Sequence, residues 1–135
     1  SCGIQLGSLY QSSDSGGWHA YIFFSDWVKS EDLQDYLNQL LKAEGFEIKQ
    51  GQLEIFPSNN GLRLPLQRGF AWLDASAQIL IRRDELKADE AIYKFLQDSK
   101  DNQHNWQAVR TSIISRLKQI ASEQERKQTK DDLEG

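Results

Sequence analysis

Sulfur is nearly absent from this sequence, which has one cysteine and no methionine in 135 residues. A lone thiol at Cys2 closes no internal disulfide and builds no cysteine zinc site. Histidine and proline are equally scarce, at two each. No apolar run approaches the roughly 20 residues of a membrane span. Residues 1–7 have no basic segment followed by an apolar stretch, so no signal peptide is read there. These absences give the expectation of a cytoplasmic protein without membrane association. The missing methionine, at Ser1 and throughout, gives the expectation of a fragment of a longer protein.

The chain is also short of positive charge. Sixteen basic residues face 20 acidic ones, for a net charge of −4. That balance excludes a basic nucleic-acid-coating surface. Only residues 46–83 run the other way, at a net +2, with Arg63, Arg68, Arg82 and Arg83 available to an anion such as phosphate. What remains suffices for one ordinary domain with a buried core, since hydrophobic residues make up 39% of the chain.

Pattern then sets the elements. Residues 4–10 alternate loosely and read as a strand. Ser12-Ser13-Asp14-Ser15-Gly16-Gly17 reads as a turn, and the aromatic run 18–24 as a second strand, so the pair is expected to form a hairpin. Ser30 reads as the cap of a helix whose leucines at 33, 37, 40 and 41 share a face and which Gly45 stops. Residues 52–56 read as a strand ended by Pro57, 58–61 as a turn, and 62–66 as a strand ending at Pro65. Residues 70–73 and 78–81 are further strand candidates. Helical stripes follow over 88–97 and 106–120, and residues 125–135 are expected to fray.

The fold class expected is α+β: a mostly antiparallel sheet with one amphipathic crossing helix, then two C-terminal helices. The expected division is a β-rich nucleotide-binding portion at 1–83, a helical portion at 84–124 packed on the same domain, and a polar tail at 125–135.

Strand alternation sorts the polar residues. It puts Trp18, Ala20, Ile22 and Phe24 toward the core and His19, Tyr21 and Phe23 on the opposite face. It leaves Glu54 and Arg63 opposite the apolar faces of their own strands. If those strands are neighbours, His19, Glu54 and Arg63 converge. The three suit phosphate chemistry. Glu54 can ligate Mg²⁺ or Mn²⁺, Arg63 offers a planar fork to a phosphate, and His19 can donate to a phosphate oxygen. The Gly16-Gly17 turn just before His19 lets a backbone approach closely. The bland readings are a plain strand histidine, a solvated Glu54, a surface-paired Arg63 and an ordinary hairpin turn. His104 reads as a loop or cap residue. Tyr10 and Tyr21 are candidates for stacking single-stranded bases, and core packing is the alternative.

The ordered segments Ser15-Gly16-Gly17-Trp18-His19-Ala20-Tyr21, Gln52-Leu53-Glu54-Ile55-Phe56-Pro57 and Gly61-Leu62-Arg63-Leu64-Pro65-Leu66-Gln67 resemble the archaeo-eukaryotic primase superfamily, the primase-polymerases, over about residues 10 to 75. The likeness is to plasmid and mobile-element members of cyanobacterial flavour. It implies that His19 contacts the phosphates of a nucleoside triphosphate, and Ser15 and Gly17 of the preceding turn are taken as further nucleotide-binding candidates. It implies that Glu54 is a catalytic metal ligand and that Arg63 contacts the triphosphate. The family's first motif, two carboxylates on a strand upstream of the histidine, has no counterpart. Asp14 is the sole acid before His19.

The functional expectation is therefore a fragment of a DNA primase- or polymerase-like nucleotidyltransferase of DNA replication. It would bind metal-nucleoside triphosphate and a single-stranded DNA or RNA template, and would be inactive alone. Mg²⁺ or Mn²⁺ is expected only with the complete site. The alternative is a non-catalytic module that binds single-stranded nucleic acid or a replication protein. A homodimer through an exposed sheet edge or helix face is a further expectation.

Overall fold

In a computed structural model, which describes residues 8–49, 53–58 and 62–134, the elements run in the order β1 (Ser8–Gln11), β2 (Trp18–Tyr21), β3 (Phe23–Phe24), α1 (Ser30–Ala43), β4 (Ala71–Leu73), β5 (Ile79–Arg82), a 3-10 turn (Arg83–Glu85), α2 (Ala88–Asp101), β6 (Gln103–His104) and α3 (Trp106–Glu134). This is the α+β class the pattern predicts, with an antiparallel sheet and two C-terminal helices. Residues 4–7 of the first predicted strand, Gln52, most of the 58–61 turn and Cys2 lie outside the described residues. The chain forms two units. Among the described residues, one is built from 8–25 and 62–105 and the other from 26–58 and 106–134. The boundary expected at residue 83 falls inside the first of these.

The first unit is organised by a four-stranded antiparallel sheet in the order β2-β1-β4-β5. Directly paired residues project to the same side of a sheet, so His19, Tyr10, Trp72 and Ile81 form one row across it. α2 covers that row. Tyr10, Phe70, Trp72 and Ala91 form the buried cluster, with Tyr21, Leu66, Ile81, Leu86 and Phe95 packed around it. The rings meet in the offset and edge-on geometries that aromatic quadrupoles favour. Tyr10 and Phe70 stack at 5.0 Å, and Phe70 meets Trp72 edge-on at 5.1 Å. Burying such a side chain contributes about 1.5–3 kcal/mol. One carboxylate enters this layer: Asp98 Oδ2 accepts from both the Tyr10 hydroxyl and Trp72 Nε1, each at 2.8 Å.

This packing reverses the predicted parity of β2. His19 and Tyr21 are its partly buried side chains, while Trp18 and Ala20 are exposed. The buried Tyr10 lies directly opposite His19, which fixes the covered face. The alternation also stops at Ile22, where the strand breaks, and Phe23–Phe24 pairs in parallel with β6. His104, read as a loop or cap residue, is in that pair, and its carbonyl accepts from the Ser25 backbone N–H at 2.9 Å.

In the second unit α1 and α3 pack together, with Leu40, Val109, Ile113 and Ile120 buried. Tyr36 meets Trp106 edge-on at 5.8 Å, and Arg116 binds both carboxylate oxygens of Glu44, at 2.6 and 3.2 Å. Lys29, not Ser30, is the N-terminal cap residue of α1, and no side chain caps it. The predicted stop at Gly45 holds. Gly45 has φ +92, its N–H bonds the Lys42 carbonyl, and the Phe46 N–H reaches back to the Leu41 carbonyl. That is a Schellman ending, which needs a residue at home in left-handed backbone. Where the composition predicts a frayed tail, α3 continues as helix to Glu134, with side chains from Ala121 to Leu133 exposed.

Two predicted strands are not formed. Among the described residues 53–56, only Leu53 pairs, in an isolated antiparallel bridge with Lys49. The amide of Gln34 donates to the carbonyls of Ile55 and Pro57, groups a ladder would use. The segment 62–66 turns at Pro65–Leu66, where Leu66 has φ +67, and the Leu66 carbonyl is taken by Arg83 Nε at 3.2 Å. Among the described residues no helix is long and apolar enough to cross a membrane.

Candidate nucleotide-binding site

The β1–β2 hairpin closes as its small residues dictate. The Ser12 N–H bonds the Gly17 carbonyl at 2.8 Å, and the Gly16 N–H bonds the Ser13 carbonyl at 3.0 Å. Gly16 takes φ +84, a region open to glycine at little cost. The hydroxyls of Ser13 and Ser15 stand 2.7 Å apart. Ser15 and Gly17 are exposed on this turn, and His19 follows two residues later at the hairpin end of β2.

Arg63 reaches the turn from the segment before β4. Its Nε donates to the Ser12 carbonyl at 3.1 Å and its Nη2 to the Arg68 carbonyl at 2.9 Å. A guanidinium has five N–H donors, so these two bonds leave part of an exposed fork beside the turn. Arg83 also holds this segment, through the Leu66 carbonyl at 3.2 Å, and spends a second donor on the Leu86 carbonyl at 3.1 Å. Gln11 Nε2 adds a bond to the Gly69 carbonyl at 3.1 Å. Gly69, at φ +85, lies so close under the turn that a Cβ there would collide with the backbone of Ser13 and Asp14. Segment 62–70 and turn 12–17 are thus one fastened structure.

Ser15, Gly17, His19 and Arg63 therefore belong to one unit, and Arg63 is bonded to the base of the turn that carries the first two. Burial lowers the His19 pKa below its ordinary value. At neutral pH the imidazole is uncharged and has one N–H to donate. Its ring lies near that of Tyr21, with centroids 6.2 Å apart. Glu54 belongs to the other unit, exposed and outside regular structure, so the convergence expected of three neighbouring strands rests on strands that do not form. Among the described residues no three His, Cys, Asp or Glu side chains gather where a metal ion could be held. Glu54 alone does not fit a two-metal centre.

The stacking residues fare differently from expectation. Tyr10 is 1% exposed beneath α2, so its ring is closed to a base. Burial, with the Asp98 carboxylate beside it, raises its hydroxyl pKa above the ordinary tyrosine value. Tyr21 packs edge-on against Tyr10 at 5.2 Å and against Phe95 at 5.9 Å, and burial raises its pKa too. Core packing, the bland reading, describes both residues.

Sequence reasoning missed Gly69 and Asp98. A helical stripe would have shown Asp98, since Ala91, Phe95 and Asp98 recur at the spacing of one face. Gly69 carries no comparable signal beyond following Arg68 at the end of a polar turn. No protein-family model, no curated protein and no solved structure matches this chain.

Proposed function

We propose that the sheet unit binds the phosphates of a nucleoside triphosphate, and that the chain is the nucleotide-binding portion of a primase- or polymerase-like nucleotidyltransferase of DNA replication, inactive by itself. The observation that carries this reading is the Arg63 bridge to the Ser12 carbonyl, which fastens a guanidinium to the glycine-containing turn two residues ahead of His19. The phosphate donors this reading calls on are the hydroxyls of Ser13 and Ser15, the His19 imidazole N–H, and the part of the Arg63 guanidinium left by its two main-chain bonds. The ordered resemblance of these residues to primase motifs supplies the reaction class, and the absent upstream carboxylates supply the expectation of inactivity.

Arg63 holds main chain as well as offering charge, so His19 is the cleaner probe. Calorimetric titration of a Mg²⁺–nucleoside triphosphate into the chain should give weak, salt-sensitive binding. Replacing the histidine, His19→Ala, should weaken it by about tenfold, the loss of one phosphate hydrogen bond. Equal heats from the folded variant would reject the assignment. The alternative reading, a non-catalytic binder of single-stranded nucleic acid, has less support, because its stacking residue Tyr10 is in the core.

A further inference from the structure

The two edges of the four-stranded sheet are treated differently. At β5 the ladder is interrupted by an extra residue, because Trp72 pairs with Ile81 and Leu73 with Ile79, leaving Leu80 as a bulge. The same edge carries the charged Arg82, whose backbone N–H is taken by Glu85 Oε2 at 2.7 Å. Bulge, charge and a capped donor are the devices by which sheets avoid pairing with another chain.

β2 has none of them. Trp18-His19-Ala20-Tyr21 contains no proline, no lysine and no acid. Its hydrogen-bond phase follows from the turn. The Ser12 N–H to Gly17 carbonyl bond makes Gln11–Trp18 a non-hydrogen-bonded pair and Tyr10–His19 a hydrogen-bonded one. The backbone groups of His19 and Tyr21 therefore face β1, while those of Trp18 and Ala20 face outward. Both outward residues are exposed, Trp18 at 65%. Among the described residues no partner takes this edge.

We infer that β2 is a self-pairing edge, and that two copies of this chain join antiparallel through it about a two-fold axis. The strand is self-complementary in one register. With Trp18 opposite the partner's Ala20, every outward N–H and C=O of both strands is paired. The largest exposed side chain of each strand then lies over the smallest of the other. The two His19 residues stand opposite one another across the axis, so a ligand that engages His19 competes with pairing. A neutral strand suits this partner, since no like charges meet at the axis.

Sedimentation velocity on the full chain without nucleotide tests this apart from the phosphate-binding reading. A monomer–dimer equilibrium is expected between about 1 μM and 1 mM. Ala20→Pro removes one outward donor per strand and no bond to β1, and Trp18→Lys puts a charge on the edge. Each should weaken the dimer by about tenfold or more. Circular dichroism checks that each variant is folded. If Ala20→Pro is not, Trp18→Lys decides, because its side chain is exposed and its backbone unchanged. A chain that stays monomeric to about 1 mM, or a dimer that a folded edge variant leaves unaltered, would overturn the inference.

Discussion

Gly69 and Gly16 both hold left-handed backbone, at φ +85 and +84, yet they stand in opposite surroundings. A Cβ on Gly16 meets nothing within 4 Å, whereas one on Gly69 runs into the main chain of Ser13 and Asp14. The backbone penalty is common to both, about 1 kcal/mol. Only Gly69→Ala adds a clash that two fastened loops cannot relieve by rotating a side chain. Urea unfolding should therefore show a loss of about 1 kcal/mol for Gly16→Ala and about 3 kcal/mol or more for Gly69→Ala. Equal losses would mean that segment 62–70 is not held against the turn, and the placement of Arg63 beside Ser15 and Gly17 would go with it. The three arginine bonds to the Ser12, Arg68 and Leu66 carbonyls make the same point at other residues: these cations are fastened to main chain, not free in solvent.

At the scale of elements, the contact between α2 and the sheet turns on one carboxylate. Asp98 accepts from two enclosed aromatic donors; Ser8 also hydrogen-bonds the Tyr10 hydroxyl, so removing Asp98 leaves the Trp72 N–H as the group that loses its acceptor. Asp98→Ala should cost about 1–3 kcal/mol by chemical denaturation. Asp98→Asn, which keeps a carbonyl oxygen as acceptor, should recover part of that. A cost for Asp98→Ala under about 0.5 kcal/mol would show that α2 docks by apolar contact alone. The presence of three helices was legible from apolar residues at helical spacing, though not the run of α3 through its polar end, and the Gly45 stop was legible because a Schellman ending has a residue requirement. The hairpin was legible from its turn chemistry. The face of β2 was not, because Trp18, Ala20 and Ile22 compete with His19, Tyr21 and Phe23 on nearly equal terms, and alternation cannot choose between two apolar sets. What chose was the hairpin partner Tyr10, whose side chain is buried under α2, a helix from a distant part of the chain. Segments 52–56 and 62–66 alternate as strands do, but Gln34 and Arg83 take carbonyls in them, and short-range pattern contains no sign of such distant donors.

At the scale of the molecule, the two units are interleaved along the chain, so each depends on residues from both sides of the other. The candidate site respects this division. Ser15, Gly17, His19 and Arg63, which the resemblance groups together, fall in one unit. Glu54, grouped with them by the same resemblance, falls in the other, where the described residues of its segment form one isolated bridge, Lys49 to Leu53. The central claim is thus local: phosphate binding at the β1–β2 turn. The most direct test is residue-resolved, a ¹⁵N correlation spectrum of the full chain titrated with Mg²⁺–nucleoside triphosphate. We expect saturable shifts concentrated on Ser13 to His19 and on Arg63 to Gly69, with Glu54 unmoved. Shifts scattered over both units, or confined to residues outside the turn, would contradict the claim.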